Sequence, residues 1–383
     1  MNVARENLMS SISLPRIVPQ VELTDLDEYT IAADCYENRI PAFVGAELKR
    51  QYRNIFSTLE KFENDGSLNG VSTYIVRDNT EITCILLFRR NGKRIHVLNE
   101  FIKLTPLELQ RFSRHMFRHF STVSVITFGP LQIEESLARF PYLYQKINCS
   151  EDIAVALPPK PADYVAALSK SMRLNINRYR NKLKKDFPSF TFIAQERDQI
   201  AEANFRDIMK LSRARMTAKG KNHGFDEKKV RKLFELARTT GFVGVATIDG
   251  QVCAGTICYR VGNRFFIYVL AFESAYKDYG MGTYCCYLTI CECIAQGGEK
   301  CHFLWGREEY KYRLLGIQED FDSMAIYRSN VHLFFHALMA LKMEYRGYVR
   351  RFRLWLLDPA RRDSKITRVI AQSIRILRKS TSH

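Results

Sequence analysis

A chain of 383 residues with 46% apolar side chains is long enough for two domains with their own cores, and its composition is that of an ordinary globular protein. No stretch approaches the roughly 18 to 20 uninterrupted apolar residues of a membrane span, and the N-terminal residues carry no apolar block like a secretory signal, so the expected location is the cytoplasm. Lys and Arg number 58 against 41 Asp and Glu, a formal charge of +17 that points to anionic partners: nucleic acid, acidic lipid headgroups or a phosphate-rich cofactor.

Residues 1–20, closed by Pro15 and Pro19, read as a flexible lead-in. A mixed domain is expected over 21–157. Its elements are a helix at 42–62, strands at 72–76, 81–88 and 94–98 joined by Asp78-Asn79 and Asn91-Gly92, a helix from Thr105-Pro106 to about His119, and a strand at 122–128. The linker is Leu157-Pro158-Pro159-Lys160-Pro161, because adjacent prolines break both helix and strand.

A second domain is expected over 158–347. It opens with a helix at 163–185, with Val165, Leu168, Met172 and Ile176 on one face and Arg173, Arg178, Arg180, Lys182, Lys184 and Lys185 elsewhere. Those cations form either a solvated face or one for a phosphate-bearing partner or acidic membrane. A strand at 190–194 and helices at 200–216 and 226–238 follow, the helices separated by a Gly- and Lys-rich loop in which His223 reads as a solvated residue more readily than as a base.

Strands at 243–248, 253–259 and 264–272, turned by Asp249-Gly250 and Gly262-Asn263, form a meander. Lys277-Asp278-Tyr279-Gly280-Met281-Gly282 then opens a helix at 283–295, leaving its first N–H groups free to face an anion. A strand at 301–305, a short helix at 309–315 and a last strand at 324–328 follow. A helix at 330–344 carries Phe334, Phe335, Leu338, Met339 and Leu341 and is expected to cover the core; His332 and His336, one turn apart on it, read as packing residues and not as metal ligands. The tail, 348–383, alternates Arg and Lys with Leu, Ile, Trp and Phe, which suits either a helix at an anionic membrane surface or one packed on the body. The ten cysteines fall inside these elements and read as reduced, buried side chains; no metal site is expected.

Both halves place a second turn thirteen residues after a hairpin dipeptide beginning with Asp: Asp78 to Asn91 and Asp249 to Gly262. An internal duplication is expected. The first copy has Lys103-Leu104-Thr105-Pro106 where the second has its glycine pair, so only the second is expected to hold a diphosphate.

The order meander, basic residue, x-x-Gly-x-Gly, helix resembles the acetyl-CoA-binding core of the GNAT acyltransferases, with Lys277 in the place usually taken by Gln or Arg. His302-Phe303-Leu304-Trp305-Gly306-Arg307-Glu308-Glu309-Tyr310-Lys311 resembles the strand and Gly-x-Glu-x-Tyr-Lys motif of the CelD/BcsL-type branch, the cellulose-biosynthesis acetyltransferase-like proteins related to Fem peptidoglycan aminoacyltransferases. The basic helix containing Arg173 resembles the one that opens the same domain. The resemblance implies an α/β (α+β) fold of two tandem GNAT-like domains, each a mixed sheet flanked by helices, and acetyl-CoA or another acyl-CoA as donor.

On that basis Val269, Leu270 and Ala271 are expected along the pantetheine arm, and Lys277, Tyr279, Gly280, Met281, Gly282 and Thr283 at the diphosphate. Glu308 is the expected proton acceptor, with Glu309 and Glu273 as rivals; Tyr310 is either the acid toward the leaving thiolate or a packing residue, and Lys311 an electrostatic element for the tetrahedral oxyanion or a phosphate on the acceptor. Arg173 and Glu273 are expected on the acceptor side. The acceptor expected is a sugar, amino sugar, polysaccharide precursor or amino-acid-type amine. Under the alternative reading the donor is an aminoacyl-tRNA, or the chain is a basic binder without chemistry. Gly280→Asp is expected to abolish donor binding with the fold intact.

Overall fold

The computed structural model describes residues 31–66, 68–218, 220 and 224–357, so the 1–20 lead-in, His223 and the tail after Leu357 lie outside the described residues. The N-terminal half runs β1 (Ile31–Tyr36), α1 (Val44–Tyr52), α2 (Leu59–Asp65), β2 (Val71–Asp78), β3 (Glu81–Asn91), β4 (Arg94–Val97), β5 (Ile102–Leu104), α3 (Pro106–His119), β6 (Val125–Ile133) and β7 (Leu143–Ala156). The C-terminal half begins α4 (Pro161–Ala167), α5 (Lys170–Asp186), β8 (Thr191–Glu196), α6 (Glu202–Ala218) and α7 (Glu227–Thr240). Its meander is β9 (Gly241–Ile248), β10 (Gln251–Val261) and β11 (Arg264–Phe272). Then come α8 (Met281–Ala295), β12 (Lys300–Leu304), α9 (Glu309–Arg313), β13 (Ile317–Tyr327), α10 (Asn330–Phe335) and α11 (Ala337–Leu357).

The hairpin dipeptides turn both meanders. Asn79, Asp249, Gly92, Gly250 and Gly262 all take positive φ, as tight turns between right-twisted strands require. Two expected helices are broken. At 163–185, Leu168 takes an extended conformation and Ser169 caps α5, accepting from the Met172 N–H at 3.2 Å. At 42–62, Arg53 enters the left-handed region (φ 48) and ends α1.

The strands form one sheet in the order β1-β2-β3-β4-β6-β13-β7-β12-β11-β10-β9-β8, with β5 beside β6. Read from either end, the order is the same: a meander, a parallel neighbour (β6 beside β4, β12 beside β11), then the last strand of the other half. Thus β13 inserts between β6 and β7, and β7 between β13 and β12. Tandem copies of one unit are present, stitched by two exchanged strands. In the C-terminal half, α5 and α8 cover one face around Met172, Leu183, Tyr284 and Cys286, and α6 and α7 cover the other around Phe205, Leu233 and Phe266. All ten cysteines are unpaired, and seven are buried.

Candidate active site

The candidate site lies where two parallel strands part. β11 and β12 pair only from Arg264 opposite Lys300 to Phe266 opposite His302, although β11 runs on to Phe272. A β-bulge marks the departure: Cys258 faces Ile267 and Ile257 faces Val269, so Tyr268 is the extra residue. The bulge places Tyr268 and Val269 on one face, with Phe266, while Leu270 and Phe272 turn to the other. At the apex, the buried His302 ring stacks on Phe266 at 4.4 Å and Nδ1 lies 2.5 Å from Asp152 Oδ2.

The parting edge of β11 carries the expected Val269, Leu270 and Ala271. Arg215 of α6, which the sequence did not single out, donates to the Leu270 carbonyl at 2.9 Å with its guanidinium 4.9 Å from the Phe272 centroid. Beyond the end of β12, Trp305 is 49% exposed and touches the rings of Tyr268, Phe56 and Phe101, so the N-terminal half contributes to this wall.

Below the parting strands stands the start of α8. Gly280 holds φ 65 and supplies no capping side chain, so the first N–H groups of α8, from Met281 to Thr283, are left without an intrahelical acceptor. The equivalent helix of the first half is closed. Thr105 accepts from the Glu108 N–H, and the Glu108 carboxylate returns to the Thr105 N–H at 2.7 Å, placing a fixed anion of the chain itself at the N-terminus of α3.

The basic helix α5 lies against this loop, an arrangement the sequence left open. The Tyr279 hydroxyl bonds Asp186 at 3.1 Å, Lys182 stands 4.1 Å over the Tyr279 ring, and Arg178 lies 5.5 Å from the Tyr179 ring. Tyr179 in turn fills the space beside Gly280, where an added Cβ would meet the ring at 2.4 Å. The expectation that Gly280→Asp spares the fold is therefore corrected: any side chain there meets both an unfavourable φ and the Tyr179 ring. Gly282 is packed similarly, 2.5 Å from a Phe272 ring atom by the same measure. Lys277 is exposed at the loop.

The turn after β12 brings together Glu308, Tyr310 and Lys311. Tyr310 is mostly buried, and burial, reinforced by Cys286 and Glu308, pushes its phenol well above the usual value, with Arg215 opposing. Lys311 is fully packed: its ammonium donates to the carbonyls of Phe303, Leu304 and Trp305 at 3.0, 3.3 and 2.6 Å, and burial lowers its pKa while Glu308, 3.5 Å away, raises it. An ammonium spent on three carbonyls is a clamp on the strand end, which leaves it little capacity for an oxyanion. Glu308 is half-buried, Glu309 is exposed, and Glu273 is exposed just past β11. Arg173 donates to the carbonyls of Ala166 and Leu168, closing the break between α4 and α5. Glu151 of β7, also missed, accepts from the Gly306 N–H at 3.0 Å and from Arg350 of α11.

Other expected features lie away from the wedge. The Nδ1 of His332 is 2.8 Å from the Ser329 hydroxyl, and the Nε2 of His336 is 2.7 Å from that of Ser124. A cavity of about 360 Å³, lined in part by Lys49, Glu60, Arg197 and Arg260, lies at the opposite end of the β10–β11 hairpin and takes no part in this geometry. Among the described residues, no helix is long and apolar enough to cross a membrane.

A sequence model described as an acetyltransferase (GNAT) domain matches residues 170–312, which span the basic helix, the meander, the glycine loop and Tyr310. No curated protein matches the chain. Among solved structures, FemX is similar at a TM-score of 0.55 and 8% identity, covering 79% of this chain and 99% of its own. The L-PGS of Bacillus licheniformis is similar at a TM-score of 0.43 and 12% identity, covering 68% and 85%. At 8% identity the likeness to FemX is one of fold. The chain thus has a tandem GNAT-like fold, and residues 170–312 of its C-terminal half match the model of a GNAT acetyltransferase domain.

Proposed function

We propose that the chain transfers an acyl group from an acyl-CoA to the amine of a small or saccharide acceptor, with the donor held by its C-terminal half alone. One observation carries this reading: the bare start of α8 beneath the parting of β11 and β12, set against the equivalent start of α3, which Glu108 closes. The donor supplies an acyl group activated as a thioester. Its diphosphate fits the N–H groups of Met281, Gly282 and Thr283, with Lys277, Arg178 and Lys182 adding positive charge and Tyr279 fixed beside them. Val269, Leu270 and Ala271 lie along the pantetheine arm.

Tyr310, kept protonated by burial, holds the proton for the departing sulfur. Glu308 takes the proton of the amine in this reading, with Glu273 and Arg173 assigned to the acceptor. The half-exposed Trp305 offers a flat apolar platform against which a sugar ring can lie, in keeping with the CelD/BcsL-type branch that Gly306-x-Glu308-x-Tyr310-Lys311 resembles. Acetyl-CoA is the simplest donor of this class.

The exposed cations of α5, Arg178, Arg180, Lys184 and Lys185, favour one alternative, transfer from an aminoacyl-tRNA. Calorimetric titration of the full chain with acetyl-CoA, and separately with aminoacyl-tRNA at physiological salt, distinguishes the two. Acetyl-CoA should bind, and Lys277→Glu should weaken it by about tenfold, the worth of one close phosphate contact. Binding of tRNA with none of CoA would reverse the assignment.

A further inference from the structure

The helix expected at 330–344 to cover the core is the pair α10–α11, and of its expected core residues Met339 packs inward while Phe334, Phe335, Leu338 and Leu341 face outward. Leu333, Met339, Ala340 and Met343 face inward against Val125, Ala325 and Tyr327. Gln145 donates to the Ala340 carbonyl at 3.0 Å, and Gly347 sits so close to Ile147 that a Cβ would lie 2.2 Å from its methyl group. The outward side is apolar: Phe334 is 77% exposed, Phe335 74%, Leu338 85% and Leu341 65%, followed by Tyr345, Tyr348, Val349 and Phe352. At 3.6 residues per turn, the six of these in α11 fall within an arc of about 100°. Monomeric soluble proteins rarely leave such a stripe to water.

Charge indicates what covers it. Lys342, Arg346 and Arg353, all exposed, line one flank of the stripe, between it and the buried seam. Glu344 is the one acid from 330 to 357, and its carboxylate is taken by Gln145 at 2.8 Å. An antiparallel pairing of two such faces would bring two cationic rows alongside each other, whereas anionic headgroups would neutralise the row while acyl chains take up the rings. Aromatic rings on the apolar side and Lys and Arg beside them are the composition of a helix lying in a bilayer interface.

We propose that the outward face of α10–α11 is a docking surface for an anionic phospholipid bilayer, with Phe334, Phe335, Leu338 and Leu341 entering the interface and Lys342, Arg346 and Arg353 meeting the headgroups. The proposal stands apart from the choice of donor, because no residue of the wedge contributes to this face. It is tested by sedimenting the full chain with vesicles of phosphatidylcholine alone and of phosphatidylcholine with about one-third phosphatidylglycerol. The chain should partition onto the anionic vesicles and be released by salt. Leu338→Ser with Leu341→Ser, and separately Lys342→Glu with Arg346→Glu, should each lower the partition coefficient by about tenfold or more with an unchanged melting temperature, since the side chains are already in water. Three results would overturn it: no partitioning, undiminished partitioning of both variants, or a dimer in sedimentation equilibrium that both variants dissolve while neither form binds lipid.

Discussion

The guanidinium of Arg215 hydrogen-bonds the carbonyl of Leu270, placing a cation from α6 on the open edge of β11 and within electrostatic reach of the Tyr310 phenol. Arg215→Met keeps the stem and removes the charge and the bond. Its stability should fall by about 1.5–3 kcal/mol, the worth of a hydrogen bond from a charged donor, read as a lower urea midpoint at constant slope. Turnover should fall too at a temperature where both proteins are folded; an unchanged turnover would remove Arg215 from the site.

Gly280 and Lys277 separate shape from charge at the loop. Gly280→Ala meets a φ of 65 and the Tyr179 ring, and should cost about 1–2 kcal/mol from the backbone conformation alone, with Tyr179→Ala relieving the remainder. Lys277→Glu should leave the melting temperature in place while weakening acetyl-CoA. Equal affinity for the donor in Lys277→Glu and wild type would place the diphosphate elsewhere.

Lys311→Met tests whether the buried ammonium is a clamp or an oxyanion partner. Losing it strips three carbonyls of their donor and should cost about 3 kcal/mol, visible in urea denaturation. Arg, which is bulkier and planar, should not restore the loss. A variant of wild-type stability and no activity would return Lys311 to the chemistry.

Tyr310→Phe should lower kcat by about a hundredfold, the usual worth of a general acid, while leaving the dissociation constant for acetyl-CoA alone. Because burial holds the phenol above its usual range, titration of Tyr310 should not produce an alkaline limb in the wild-type rate profile near neutrality. Equal decreases in kcat and donor affinity would mark the ring as a packing residue only.

Glu151 links the helix α11 to the turn of the candidate site. Burial pushes its carboxyl up, but the Gly306 N–H, Arg350 and Arg307 outweigh that and hold it below the usual carboxylate range. The stability it contributes is therefore complete above its unfolded pKa and is lost as the pH falls through the lower, folded value. Glu151→Gln should flatten the acid side of the stability profile, measured as urea midpoints from neutrality down to about pH 3. A variant whose acid limb matches wild type would show that other carboxylates govern it.

The meander and the glycine loop could be read from the chain because each depends on local chemistry: Asp249-Gly250 and Gly262 need positive φ, and Gly280 needs both positive φ and room. The tandem plan was legible for the same reason, through the repeated turn spacing. Pairing between distant segments was not. The 14 residues of β7 drew no expectation of a strand, and nothing local to Arg215, Asp152 or Tyr179 announces the Leu270 carbonyl, His302 or Gly280 as neighbours. The helix at 330–344 shows the converse: periodicity located the apolar stripe, yet which side meets the core depends on Met339, Ala340 and Gly347 fitting the sheet.

The order of strands has a last consequence. Because β7 bonds to both β12 and β13, and β13 to both β6 and β7, cutting the chain at 157–161 does not yield two sound pieces. An N-terminal fragment would leave a gap between β6 and β7, and a C-terminal fragment a gap between β12 and β13. Each half is thus completed by the closing strand of the other, and neither half of the sheet is whole alone.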